Sequence, residues 1–188
     1  MSAYDKVLVM GGSWGGIQAS IQVLQALPSG FKLPVVLVLH RLRNTESDLQ
    51  RIYEKKTKLQ VQEIEEKELL RPGCVHLAPA NYHVLLERDN TFSLDVSDLE
   101  NYSRPSIDVT FMSAADIFGK QVIGVLLSGA SKDGSAGLKY IYDKGGQTIV
   151  QDPAEAEIST MPESAIKLVP GCSVMSLGRI QEYLLSIT

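Results

Sequence analysis

The sequence predicts an α/β fold: a doubly wound, mostly parallel sheet flanked by helices, with an antiparallel hairpin near its middle. Three observations predict it. Short apolar runs rich in β-branched residues recur along the chain. Segments whose apolar residues fall at helical spacing separate them. Between residues 74 and 96 that alternation gives way to three strand-like runs in succession, the last two joined by Asp89-Asn90, a pair suited to a tight turn. Strands that alternate with helices form parallel sheets covered on both faces.

Taken in order, residues 6–10 read as a first buried strand. Ile17, Ile21, Leu24 and Leu27 then fall at spacings of four, three and three, one face of a helix that Pro28-Ser29-Gly30 stops. Residues 34–39 form a second buried strand, a polar helix is expected over 45–56, and 61–64 read as a further strand. Arg71-Pro72-Gly73 is a turn signal. Residues 74–78, 82–87 and 91–96 are the strand-like runs of the hairpin region. Ile107, Phe111, Ala114 and Phe118 mark a helix. Residues 121–127 are a third long apolar strand; Leu138 and Ile141 lie on a helix, and 147–151 are a strand. A helix over 162–169, a strand over 173–177 and a last helix over 178–186 complete the alternation.

Composition bounds the function. The chain has 188 residues, one domain's worth, so a single domain over 1–188 is expected. Hydrophobic residues make up 44% and charged residues 21%, which excludes wholesale disorder. A net charge of −4 argues against nucleic-acid binding, which favours a basic face. The longest strongly apolar run, 35–39, is far short of the ~20 residues that cross a bilayer, so no direct membrane insertion is expected. No basic segment opens a long apolar stretch at the N-terminus, so no secretory signal is read there. The two cysteines, Cys74 and Cys172, form no CxxC, and no histidine stands at metal-ligand spacing. A reduced, cytoplasmic protein without metal or cofactor is the expectation.

Sites in doubly wound sheets lie beyond the carboxyl ends of the strands. After the first strand comes Gly11-Gly12-Ser13-Trp14-Gly15-Gly16. It is not a dinucleotide fingerprint, because Ser13 takes the middle glycine's place and the second strand ends in His40 where an acidic residue would hold a ribose. It is not a Walker A loop, because Ile17-Gln18 follows Gly16. Gly11-x-Ser13-x-Gly15 does match the GxSxG nucleophile turn between strand and helix. An α/β-hydrolase would need its acid and then its histidine after the serine, and the only later histidines beyond His40 are His76 and His83 in the hairpin region. A glycine-rich turn with a capping serine is the plain alternative. The long strand over 121–127 leads into Ser128-Gly129-Ala130-Ser131-Lys132-Asp133-Gly134, where Asp133 also reads as a turn or cap residue. Still, a hydroxyl, an imidazole and a carboxylate each follow a buried strand, the inventory for acyl transfer.

Five stretches, in order, carry a family resemblance: Gly12-Ser13-Trp14-Gly15-Gly16; Val38-Leu39-His40; LAPANYH at 77–83; SRPSIDV at 103–109; and LSGASKDGSAGL at 127–138. QDPAE at 151–155 and Met161-Pro162 extend it. The chain resembles the catalytic domain of chemotaxis protein-glutamate methylesterases, the CheB-type family. The resemblance implies a cytoplasmic serine hydrolase that demethylates glutamate 5-O-methyl esters on chemoreceptor cytoplasmic helices and also deamidates receptor glutamines. It implies Ser13 as nucleophile, His40 as general base and Asp133 as the carboxylate orienting it, with the backbone N–H groups of Trp14 and Ala130 lining the oxyanion hole. Arg41 and Arg104 become candidates for docking an acidic substrate.

This sequence departs from the family's usual pattern beside the expected site. Trp14 replaces a small hydroxyl residue, Arg41 a Met, Ala130 a Met and Ser131 a Gly. The Trp14 ring is expected either to pack at the helix start or to cover the nucleophile. Only five residues precede the first strand, so the family's N-terminal receiver domain is not expected within this chain, and constitutive competence is. Two other readings stay open: a degenerate methylesterase-like signalling domain that only binds a partner, and a related serine esterase with another substrate. His76 and His83 are expected to be structural, and the acidic stretch 63–68 to be a solvated face.

Overall fold

The computed structural model describes residues 5–40 and 48–187. Seven parallel strands form the central sheet: β1 (Val7–Gly12), β2 (Val35–Leu39), β3 (Gln60–Glu63), β4 (Cys74–Leu77), β7 (Val122–Leu126), β8 (Gln147–Gln151) and β9 (Ser173–Met175), in the order β3-β4-β2-β1-β7-β8-β9. The remaining two, β5 (His83–Leu86) and β6 (Phe92–Asp95), make a separate antiparallel pair. The helices are α1 (Gly16–Gln25), α2 (Leu49–Lys56), α3 (Ile107–Phe118), α4 (Ser135–Asp143), α5 (Thr160–Leu168) and α6 (Leu177–Ser186). The expected fold class is the one observed. One detail differs: the first of the three central runs, β4, joins the main sheet between β2 and β3, and only the other two form the hairpin. The expected start of α2 at 45–47 lies outside the described residues.

The strand sequences show why the sheet sits inside. Successive residues of a strand point to opposite faces, and both faces here are covered, so the central strands read as unbroken apolar runs. Leu8, Met10, Leu37 and Leu39 face one core layer, with Leu24 of α1, Tyr53 of α2 and Leu184 of α6. Val7, Val9, Val36 and Val38 face the other, with Phe111 of α3, Leu138 of α4 and Ala165 of α5. The hairpin sits on α3, and side chains of that helix occupy its backbone: Thr110 Oγ1 donates to Val84 O at 2.8 Å, and Leu86 N donates to Ser113 Oγ at 3.1 Å. That arrangement puts the N-terminus of α3 beside the C-terminal edge of the main sheet.

Candidate active site

The chain leaves β1 for one flank of the sheet through β2 and reaches the other flank through β7, so β1 and β7 border the point where strand order reverses. That is where doubly wound sheets open a crevice. Parallel register brings three chain segments to one level there. Gly12 pairs with Leu39, and His40 N donates to Gly12 O at 3.1 Å, so Ser13 and His40 leave neighbouring strands together. Leu127 N donates to Gly11 O at 2.9 Å, and Ser13 N donates to Ser128 O at 2.9 Å, which ties the turn carrying Ser13 to the loop after β7. Gly16 N donates to Ser13 O at 2.8 Å, closing a tight turn. Gly15 enters it at φ 78°, and a Cβ there would stand 2.6 Å from Ser128 Oγ and 2.7 Å from Glu157 Cβ. Only glycine meets both demands.

Asp133 is fully buried and is not the cap of the helix that follows it; Gly134, at φ 91°, takes that position for α4. Asp133 instead reaches the N-terminus of α3. His40 Nε2–H donates to its Oδ2 at 2.7 Å, and Ile107 N–H donates to the same oxygen at 2.7 Å. Oδ1 accepts from Ser106 Oγ at 2.9 Å, from Asp108 N at 3.1 Å and from Asn101 Nδ2 at 3.2 Å. Ser106 is the N-cap of α3, and its own backbone N–H donates to His83 Nδ1 at 3.1 Å. A helix N-terminus favours a negative charge. Burial alone would raise the Asp133 carboxyl, but the hydrogen bonds from His40, Ile107 and Asp108 outweigh it and hold the group below the usual aspartate range.

A second carboxylate lies next to the first. Asp108, also buried, accepts from Gly137 N at 2.6 Å and from Asn101 Nδ2 at 2.9 Å. Burial, with the Asp133 charge adding to it, pushes its carboxyl up to about 6 against the help of the Gly137 and Gly134 N–H groups. Ionised Asp108 therefore costs folding stability above pH 6, and that cost fades as pH falls toward the unfolded value of about 4. Relative to wild type, Asp108→Asn is expected to gain on the order of 2 kcal/mol in unfolding free energy between pH 4 and pH 8. Urea denaturation at both pH values checks this; a difference that stays flat would contradict it.

The oxyanion candidates stand on either side of Ser13. Neither the Trp14 N–H nor the Ala130 N–H has an acceptor among the described residues. Between them Gly129 is fixed at both ends, donating to Ile158 O at 3.1 Å and accepting from Met161 N at 2.9 Å. A Cβ on Gly129 would lie 2.9 Å from Ser13 Cβ and 2.7 Å from Met161 Cε, so the loop comes close to Ser13 only because residue 129 has no side chain. The Trp14 ring is not packed at the helix start. It is 68% exposed, and its Nε1 donates to Glu157 Oε1 at 2.9 Å.

A CheB methylesterase family model matches residues 8–184. The chain belongs to the CheB methylesterase family. Its fold is similar to the crystal structure of the Thermotoga maritima CheB methylesterase catalytic domain, with a TM-score of 0.94 and 32% identity over 99% of this chain and 100% of that one. It is 44% identical over 177 residues to a Leptospira interrogans homologue that bears a protein-glutamate methylesterase/protein-glutamine glutaminase name, covering 94% of this chain and 92% of that protein. It is 34% identical over 174 residues to the protein-glutamate methylesterase FrzG of Myxococcus xanthus, covering 93% of this chain and 52% of FrzG.

Within this CheB-type domain the remaining sequence candidates fare differently. Arg41 lies outside the described residues. Arg104 does not stand free for an acidic substrate: its Nη1 donates to Val96 O at 2.6 Å and Ser97 O at 2.7 Å, and its Nε is buried. Its contacts hold the loop over 96–104 rather than offer a docking cation. His76 is fully buried, with Nδ1 3.0 Å from Glu68 Oε1, so one residue of the acidic stretch is a structural partner and not part of a solvated face. His83 supports the α3 N-cap. Among the described residues no cluster of three metal-ligating side chains occurs, and no helix is long and apolar enough to cross a membrane. Sequence reasoning did not single out Asn101, Ser106 or Asp108. Ser106 had a readable signal, a serine immediately before a helical apolar pattern; Asn101 had none.

Proposed function

We propose that the chain is a cytoplasmic protein-glutamate methylesterase acting in chemotaxis signal transduction, a single catalytic domain over 1–188. Its substrates are glutamate 5-O-methyl esters on the cytoplasmic helices of chemoreceptors, and receptor glutamines that it deamidates by the same route. The observation that carries the reading is the 2.7 Å bond from His40 Nε2 to buried Asp133, made where the adjacent strand delivers Ser13. Family membership and the names borne by its relatives support the same conclusion.

In this reading the Asp133 bond commits the Nε2–H tautomer and leaves the Nδ1 lone pair as the base. Ser13 Oγ attacks the ester carbonyl while its proton passes to His40 Nδ1. The oxyanion is stabilised by the N–H groups of Trp14 and Ala130. The imidazolium returns the proton to the departing methoxide, methanol leaves, and Ser13 carries the glutamyl acyl group. Water, deprotonated by His40, then releases the glutamate carboxylate and free Ser13. With a glutamine substrate, ammonia leaves in place of methanol.

The test is methanol release from a receptor cytoplasmic fragment methylated at glutamate. One methanol and one new carboxylate per site are expected. A fragment that binds without turnover would make the chain a binding module instead. Hydrolysis of small esters with none of the receptor ester would make it a different esterase.

A further inference from the structure

Asn101 takes no part in the steps above, yet its amide occupies the centre of the acidic end of the site. Nδ2 lies 2.9 Å from Asp108 Oδ2 and 3.2 Å from Asp133 Oδ1. An amide nitrogen carries two hydrogens, one for each carboxylate. Two buried carboxylates this near to one another disfavour joint ionisation unless donors stand between them. The other donors do not bridge the pair: Gly137 N serves Asp108 alone, and Ser106 Oγ, Ile107 N and Asp108 N serve Asp133. The titratable groups facing this amide are therefore Asp108, Asp133 and, through Asp133, His40; Glu100, Lys132 and Lys167 line the same cavity.

The loop is built around that placement. Asn101 and Tyr102 sit at φ 50° and 64°, two consecutive non-glycine residues in the left-handed region. Such conformations are strained for non-glycine residues and persist where the surroundings enforce them. Here Glu100 and Ser103 exchange backbone hydrogen bonds at 3.2 and 2.9 Å across the pair, and Arg104 grips the carbonyls of Val96 and Ser97. The Tyr102 ring gains nothing from the strain, since it is 97% exposed. The side chain that gains is that of Asn101.

We infer that Asn101 is a positioning residue: its amide separates Asp133 from Asp108, so that Asp133 keeps its charge directed at His40. This rests on the Ser13–His40–Asp133 reading. Asn101→Ala should lower kcat on a methyl ester by about 10- to 100-fold and change KM by less than about threefold, because the residue acts through His40 and not on substrate. Adding Asp108→Asn should restore at least tenfold, since the amide at 108 supplies the lost donor and the second charge is gone. A residue that merely shaped the loop would give no such rescue. Asn101→Asp, nearly isosteric, guards against a collapsed loop. It removes the donor at pH 8 but regains one when protonated, so its deficit relative to wild type should shrink as pH is lowered toward 5.5. No rescue by Asp108→Asn, or an Asn101→Asp deficit that does not change with pH, overturns the inference. Ser13→Ala belongs in the same assay. Turnover that it abolishes but Asn101→Ala leaves intact overturns this inference alone, whereas turnover that survives it overturns both.

Discussion

Ser13→Ala is expected to lower hydrolysis of a methyl ester by at least about 10³-fold, and His40→Ala by a similar factor. On the proposed mechanism no acyl-enzyme forms without Oγ, and the base is lost with the imidazole. Combining the two changes should cost little beyond either alone, because the members of a nucleophile–base unit fail together. Residual activity from the backbone donors at Trp14 and Ala130 should remain above the uncatalysed rate. The fold of the Ser13→Ala variant should hardly change, since Ser13 is half-buried and its backbone makes the bonds to Ser128 and Gly16. Thermal unfolding of each variant beside a burst assay for the acyl-enzyme checks both halves. A Ser13→Ala enzyme with wild-type turnover would remove the nucleophile assignment.

The parallel strands were legible in the sequence because each buried strand is a run of apolar, largely β-branched residues closed by glycine, proline or a polar residue. Residues 147–151 became β8 without change of boundary. Residues 6–10 fell short by two because Gly11 and Gly12, read as loop, continue β1; their missing side chains let Ile107 of α3 and the backbone of Gly16 in α1 close over the strand. The strand-end rule pointed to Ser13, His40 and Asp133, and register, a local property, brings the ends of their strands to one level. What holds Asp133 was not legible. Its partners lie on the N-terminus of α3 and in the loop before it, 25 to 32 residues away in sequence, and only the folded layers bring them within reach. Charge was misread for the same reason. Glu68 looked like one more solvated glutamate until burial of His76 beside it gave it a partner, and Arg104 looked free until the carbonyls of Val96 and Ser97 turned toward it.

Asp133→Asn is expected to be as damaging as removal of the nucleophile, by about 10³- to 10⁴-fold in kcat, and to weaken the fold as well. The carboxylate receives five donors, from His40, Ile107, Asp108, Ser106 and Asn101. An amide turns one of its two ends into a donor. If the NH₂ replaces Oδ2 it meets the Ile107 N–H and forces His40 into the wrong tautomer; if it replaces Oδ1 it meets Ser106, Asp108 and Asn101. Each buried N–H left without an acceptor costs roughly 1–3 kcal/mol, and the α3 N-terminus also loses its counter-charge. The pH dependence separates this variant from Asp108→Asn. The Asp133 carboxyl is held below its ordinary value, so its contribution is fully present above about pH 4 and is lost as pH falls through the lower folded value. The stability gap between wild type and Asp133→Asn should therefore narrow on acidification below about pH 4. For Asp108→Asn the shift has the opposite sign, and acid between pH 6 and pH 4 removes the variant's advantage instead. Chemical denaturation of both variants from pH 3 to pH 8 gives two curves of opposite slope against wild type. Parallel curves would mean that the two carboxylates share one environment, and would remove the distinction between a charged orienting group and its neighbour.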